Sequence, residues 1–342
     1  MNIVFSLSYD PKSHCGVGDY TEKLAEALGT LGVRAEIDRK PNWSIRRLGS
    51  LRRVFTEEDS IVHLQYPTLN MGSSLTPAML PLVCPKSRLF TTFHEFHVFN
   101  PLRRLAFLSK AIVGSNLIFT NENERRYFQR FFATYRGTAS VISIGNNIPD
   151  GVQQQKRRRD RMIYFGQIYE YKGIEDFIDT VRLLRAQNNN LPCAIIGALG
   201  NANTPIAKLI LKMAGTLDIE LKFNLSTEAV ADELNTSNIA LLPFPDGISD
   251  KRGSALACLE HGLTVISKHS NKTPSWLAQT TYSMTQPADA VSTINALLNG
   301  SYPACPAPEV LSAELVKRKW PNIAKQHLDL YEASLRKARA HG

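Results

Sequence analysis

The chain has 342 residues, 43% of them hydrophobic and 21% charged, and carries a formal net charge of +9. Such a length suits two domains rather than one core, and such a composition excludes a disordered, collagenous or disulfide-scaffold protein. No run approaches the roughly 18 apolar residues of a membrane-crossing helix, and the N-terminal Met1-Asn-Ile-Val-Phe-Ser-Leu-Ser8 reads as a first strand rather than a leader, so a cytoplasmic protein is expected.

From the N-terminus onward, apolar runs of strand length alternate with segments of helical spacing. Strands are predicted at residues 3–7, 34–37, 61–65, 89–93, 117–120 and 140–144. Val17, Tyr20, Leu24, Leu28 and Leu31 recur on one helical face, with Gly32 as the stop, and residues 125–132 form a second, short helix. The pattern pauses over residues 146–161, a polar stretch with Pro149, Gly151 and a glutamine run that reads as a linker. It restarts with strands at 162–165, 194–196, 219–223, 239–242 and 264–266 and helices at 174–185 and 227–234, and residues 307–337 form a terminal helical region interrupted around Pro321. This alternation predicts α/β architecture: two Rossmann-like domains of mostly parallel sheet facing a central cleft, with ligands at the carboxyl ends of the strands. The boundaries expected are 1–150 and 151–315, with 316–342 as a terminal helix crossing back to the first domain.

The most informative segment follows the apolar run 239–244. A polar loop holds Asp246, Asp250, Lys251 and Arg252, and a small-residue helix begins near Gly253 and Ser254. Free amides and the helix dipole converge there with two cations, which makes an anion site for which a phosphate is the obvious guest. A second segment, Ser13-His-Cys-Gly-Val-Gly18-Asp-Tyr, follows the first strand and opens a helix. Its glycines let backbone approach a phosphate closely, although Thr21 breaks the dinucleotide fingerprint and a plain tight turn fits as well. A third, Tyr164-Phe-Gly-Gln-Ile-Tyr-Glu-Tyr-Lys-Gly173, ends in Lys172 at a helix start, either a point charge for a phosphate or an ordinary surface lysine. In Thr91-Thr-Phe-His94-Glu-Phe-His97, three readings stand: a metal pair, a polar contact from His94 to a substrate, and a structural histidine. His63 lies within an apolar strand and reads as a hydrogen-bonded core residue. The five cysteines (Cys15, Cys84, Cys193, Cys258, Cys305) form no C-x-x-C pair, so free thiols are expected and no zinc site.

Taken in order, these segments resemble the family-4 retaining glycosyltransferases of the GT-B fold. The resemblance spans nearly the whole chain: the glycine loop at 15–20, the strand ending in His94, Asn146-Asn-Ile-Pro149, the 165–173 loop, the 246–266 segment, and the tail Lys319-Trp-Pro-Asn-Ile-Ala-Lys-Gln-His-Leu-Asp-Leu-Tyr331. It implies that the second domain binds a nucleotide-diphosphate sugar, the sole co-substrate, with no cofactor and no metal. The first domain would bind a polysaccharide or lipid-linked acceptor. Gly16, with Val17 and Gly18, would offer backbone to the diphosphate, Lys172 would neutralise the leaving phosphate, and His94 would contact the transferred sugar. Two departures stand out. The family's usual basic pair of Arg and Lys has Gln167 in the Arg place, and its two glutamates fall on Ser249 and Ala257. Arg252, Gly253 and Ser254 are expected to compensate at the diphosphate, and Asp246 and Glu260 are the carboxylates left for the sugar and ribose, although Glu260 also reads as solvent-facing.

Residues 1–150 carry a net +5 and residues 151–342 a net +4, the latter matched by the run Lys156-Arg-Arg-Arg-Asp-Arg161. Either this is a solvated face and a hinge, or it meets an anionic partner. In residues 100–113, Arg103, Arg104 and Lys110 mix with Leu102, Leu105, Phe107, Leu108 and Ile112, a helix that either lies on a membrane at its inner face or packs on its own sheet. No interleaved aromatic and basic motif for nucleic acid is present. Two alternatives remain open: a sugar-nucleotide epimerase of the same fold, and a non-catalytic basic module binding membrane or nucleic acid.

Overall fold

A computed structural model describes residues 1–8, 15–39, 43–56, 59–68, 71, 74–97, 99–149 and 160–340, apart from the side chains at 102, 103, 110 and 111. The basic residues 156–159, Ser13, His14, Gly151, and the side chains of Leu102, Arg103 and Lys110 lie outside the described residues. The chain divides into two units, Met1–Gly145 with Lys317–Gly342, and Asn146–Val316.

The first unit is a six-stranded sheet of order β2-β1-β3-β4-β5-β6, parallel throughout. Its strands are β1 (Asn2–Leu7), β2 (Arg34–Arg39), β3 (Ser60–Tyr66), β4 (Leu89–Phe93), β5 (Asn116–Phe119) and β6 (Ala139–Val141). Every residue of β3 and β4 is buried, as a sheet covered on both faces requires. Helices α1 (Gly16–Thr30), α2 (Arg46–Arg53), α3 (Thr76–Met79), α4 (Pro101–Ala106), α5 (Leu108–Val113) and α6 (Glu122–Phe131) connect the strands. The single helix predicted over 100–113 is broken at Phe107, which turns into the aromatic core and stands edge-on to Phe93 at 5.2 Å.

The second unit repeats the plan, in the order β12-β11-β10-β7-β8-β9, again parallel. Its strands are β7 (Met162–Phe165), β8 (Cys193–Gly197), β9 (Ile219–Phe223), β10 (Ile239–Leu242), β11 (Thr264–Lys268) and β12 (Tyr282–Met284). Between them lie α7 (Ile174–Ala186), α8 (Pro205–Leu217), α9 (Thr227–Asn235), α10 (Gly253–Glu260), α11 (Ser275–Thr280), α12 (Pro287–Leu298) and α13 (Pro308–Lys317). The last helix, α14 (Trp320–Ala340), belongs to the first unit, where Ile323, Ala324 and Tyr331 join Leu24 and Leu28 of α1 in one core. Pro321 sits in the first turn of α14, where its missing N–H costs nothing, so the interruption falls at residues 318–319 ahead of it.

Candidate functional site

In the second unit two loops at the carboxyl ends of β7 and β10 are drawn together. Gly173 starts α7 with φ +79, and a Cβ there would lie 2.0 Å from the carbonyl oxygen of Pro243. Only glycine allows this approach, and it brings the Lys172 loop against the segment leading to Arg252. The Tyr164 hydroxyl donates to the Lys172 carbonyl at 3.4 Å, and burial pushes that phenol well above its ordinary range. A Cβ on Gly166 would meet the Ser254 hydroxyl at 3.6 Å, so the start of α10 also sits against the 165–173 loop.

At this junction one cation, Lys172, is left without an ion pair among the described residues. Its amine stands 4.5 Å above the Tyr169 ring. Helix α10 starts at Arg252 without a side-chain cap and has no acid in its first turn. Helices α6, α8 and α9, by contrast, are capped by Asn121, Thr204 and Ser226. Gly253 is exposed, and among the described residues a Cβ on it would meet nothing within 4 Å. An uncapped N-terminus flanked by cations favours an anion. Gln167, in the place where the resemblance implies a cation, is exposed and contributes no charge.

Asp246 and Arg252 were assigned separately from the sequence, to sugar and to phosphate. The structure pairs them: Asp246 Oδ1 accepts from Arg252 Nη2, and the guanidinium lies over the Phe244 ring at 4.6 Å. An arriving phosphate must therefore compete with an internal carboxylate. Asp246→Ala is expected to strengthen binding of a free nucleoside diphosphate several-fold in calorimetric titration, because it releases Arg252; unchanged or weaker binding would show that the pair does not obstruct the anion.

The structure does not bring Glu260 to this anion end. It closes α10 at the other terminus, about 10 Å along an eight-residue helix, where its Oε2 accepts from Asn146 Nδ2 at 2.7 Å. His261 beside it contacts the carbonyls of Ala257 and Pro149, at 2.8 and 3.1 Å, so the end of α10 grips the 146–149 segment. Ala257 is fully buried in the core. A cavity of about 430 Å³ nearby is lined by Tyr171, Gly173, Pro205, Ile206 and Pro245 with three carboxylates, Glu170, Glu175 and Asp176. Asp176 is neutralised by Lys268 at 2.6 Å, and the other two carboxylates can accept from hydroxyl groups, so this space suits a polyol better than a diphosphate.

In the first unit, α1 begins at Gly16 after Cys15, again without a side-chain cap, and a Cβ on Gly16 would meet nothing within 4 Å among the described residues. Val17 is half-buried and Gly18 buried beneath it. One turn on, the buried Tyr20 stands edge-on to His94, ring centres 5.1 Å apart. His94 follows β4, held by its N–H on the Tyr66 carbonyl at 2.9 Å and by Nε2 on Gln65 Oε1 at 2.8 Å. As a carboxamide oxygen only accepts, His94 Nε2 carries the proton of this bond. The α1 start and His94 thus share one end of the sheet.

His97 goes elsewhere. Its Nδ1 meets Glu124 Oε1 at 2.5 Å, and the other oxygen of that buried carboxylate accepts the amides of Phe96 and His97. The two histidines of the metal-pair reading therefore turn to different partners, and among the described residues no group of three or more His, Cys, Asp or Glu is placed to hold a metal.

Beneath His94 lies a polar network that sequence reasoning reached only at His63. This ring contacts the Tyr331 hydroxyl at 2.5 Å through Nδ1 and Thr92 Oγ1 at 2.8 Å through Nε2. His327 of α14 donates from Nδ1 to the Ile323 carbonyl at 2.9 Å and presents Nε2 to the Tyr20 hydroxyl at 3.4 Å. Burial drives the His327 pKa down to about 4, and burial with repulsion from His327 and His94 drives His63 well below the usual imidazole range. Both buried imidazoles, His63 and His327, are therefore neutral at ordinary pH.

No protein-family model matches the chain, and no curated protein matches it by sequence. Solved structures do match by fold. A glycosyltransferase from Rickettsia africae is 10% identical, covers 98% of each chain and gives a TM-score of 0.73. Sucrose-phosphate synthase from Thermosynechococcus elongatus is 15% identical over 100% of both chains, with a TM-score of 0.69. HepE from Anabaena, solved with UDP and glucose, is 13% identical, covers 96% of this chain and 98% of its own, and gives 0.67. Two parallel six-stranded α/β sheets of this topology make the fold of this chain the GT-B fold of glycosyltransferases.

Proposed function

We propose that the chain is a retaining glycosyltransferase of the family-4 type, moving a sugar from a nucleotide-diphosphate donor to a polysaccharide or lipid-linked acceptor on the cytoplasmic side of a membrane. The observation that carries this reading is the junction of the Lys172 loop with the uncapped start of α10, enforced by Gly173 against Pro243. HepE, solved with UDP and glucose, supports UDP as the first nucleotide to test.

The chemistry follows from charge. As the bond between the sugar's anomeric carbon and the β-phosphate oxygen breaks, negative charge grows on the diphosphate. Lys172, Arg252 and the amides and hydroxyl at Gly253 and Ser254 receive it, which is the main electrostatic task of the step. The acceptor oxygen bonds the same carbon from the same face, and its proton passes to the departing phosphate oxygen, so the atoms balance without a metal. In the first unit, the uncapped start of α1 at Gly16 supplies backbone donors for an anion, and His94 at the same end of that sheet supplies a ring that can meet a sugar hydroxyl.

The test is calorimetric titration of UDP, GDP and ADP, without metal, into the wild type and into Lys172→Ala, Arg252→Ala and Arg46→Ala. One nucleotide should bind to the wild type and to Arg46→Ala, and bind at least about ten-fold more weakly to the other two, as expected for losing a charge-assisted contact. Failure of all three to bind, or equal affinity across the variants, would overturn the reading.

A further inference from the structure

The first unit has a surface whose charge and apolarity coincide. Residues 40–56 and 71–121 contain ten Lys or Arg and a single acid, Glu95, whereas the rest of the first 150 residues holds eight basic against twelve acidic. These two segments are neighbours in the fold. Ser74 and Thr76, at the start of α3, both donate to the Trp43 carbonyl just ahead of α2, and Ser109 of α5 donates to the Ala78 carbonyl of α3.

The same elements expose large aliphatic side chains. Ile45 precedes α2 and is 65% exposed, Leu75 precedes α3 at 56%, and Leu82 in the following turn reaches 64%. Leu105 of α4 is 54% exposed, and Leu108 and Ile112 lie one turn apart on α5 at 42% and 71%. Isolated exposed leucines need no explanation, but six on contacting elements beside exposed Arg46, Arg52, Arg53 and Lys86 do. An acidic protein surface would answer the charge but leave the separated aliphatic tips in water. A bilayer with anionic headgroups answers both, since apolar tips enter the acyl boundary while arginine and lysine remain among the phosphates.

We infer that the surface formed by α2, α3, α4 and α5 docks the protein onto an anionic lipid bilayer. No helix among the described residues is long and apolar enough to cross a membrane, so attachment through this surface is peripheral and reversible. The inference does not depend on the donor site, and vesicle binding and nucleotide binding are measured separately.

The experiment is co-sedimentation of the purified chain with vesicles of phosphatidylcholine alone and of phosphatidylcholine mixed with phosphatidylglycerol, at low and high salt. The wild type should partition onto the mixed vesicles and less onto the neutral ones. Partition should fall at least about ten-fold in Leu82→Glu/Ile112→Glu, which removes the apolar tips, and in Arg52→Glu/Arg53→Glu, which reverses the charge. All four positions are exposed, so both variants should fold, and melting curves matching the wild type confirm it. A wild type that stays in solution with mixed vesicles at low salt, or variants that partition equally with it, would overturn the inference. UDP affinity unchanged in both variants would separate a lost surface from a damaged donor site.

Discussion

Replacing Lys172 by alanine is expected to lower kcat/KM for sugar transfer by about 10²–10³-fold while leaving the fold intact, the scale seen when one preorganised donor to developing charge is removed. The amine lies over the Tyr169 ring on a half-buried side chain at the surface, so truncation opens no core cavity. Its loop is held by Gly173 and by the Tyr164 hydroxyl, both acting through backbone, and neither contact involves the amine. Most of the loss should appear in kcat, because the charge that Lys172 meets grows as the diphosphate departs. Lys172→Arg should recover only part of the rate, since a longer planar cation replaces a point charge. Steady-state kinetics on the three proteins decides: a Lys172→Ala enzyme within a few-fold of wild type would remove the lysine from the mechanism.

The second large effect is acid lability of the first unit. His63 and His327 are buried and neutral in the folded chain, with His327 depressed to about 4. Unfolded, each takes up a proton near its ordinary value. Below that value the unfolded state binds more protons, so stability rises with pH up to about 6.5 and is present in full above it. Between about 6.5 and 4, His327 alone removes on the order of 3 kcal/mol, and His63 adds to the slope. Urea denaturation across this range should show the midpoint falling steadily with acid. His327→Gln should be less stable at neutral pH yet show a shallower dependence; a slope equal to wild type would exclude His327 as the source.

Much of the fold was legible because its strands are short apolar runs with polar breaks. Strands β4, β7, β9 and β10 match their predicted bounds, and Gly32, with φ +76, ends α1 where the spacing placed the stop. What failed was weakly patterned or decided by distant contacts. Strand β12 is three residues, Tyr282-Ser-Met284, too short for alternation to register. Helix α2, Arg46-Arg-Leu-Gly-Ser-Leu-Arg-Arg53, has no predicted counterpart because only Leu48, Leu51 and the buried Arg47 face inward. That Arg47 is taken by Asp38, nine residues back, and by Ser6, 41 residues back. At the candidate site the sequence located the right loops but not their internal pairings. The bond between Asp246 and Arg252 depends on how six residues curl, and the placing of Glu260 on Asn146 depends on a contact 114 residues apart. One signal was available and unused: His327 and Tyr331, four apart in a helix with Ile323 and Leu328, put two polar rings on an apolar stripe, which asks for buried partners.

The placement of α14 sets an order of events in biosynthesis. Tyr331 and His327 complete the polar network of a unit whose sheet is made from the first 145 residues, yet they are translated after all of the second unit. A nascent first unit emerging from the ribosome therefore presents His63, with its Tyr331 partner missing, and an apolar seam on α1 at Leu24 and Leu28 until the last helix arrives. The second unit has no such debt and can close while the first waits. Loss of residues beyond 319 would thus injure the half of the molecule that is synthesised first.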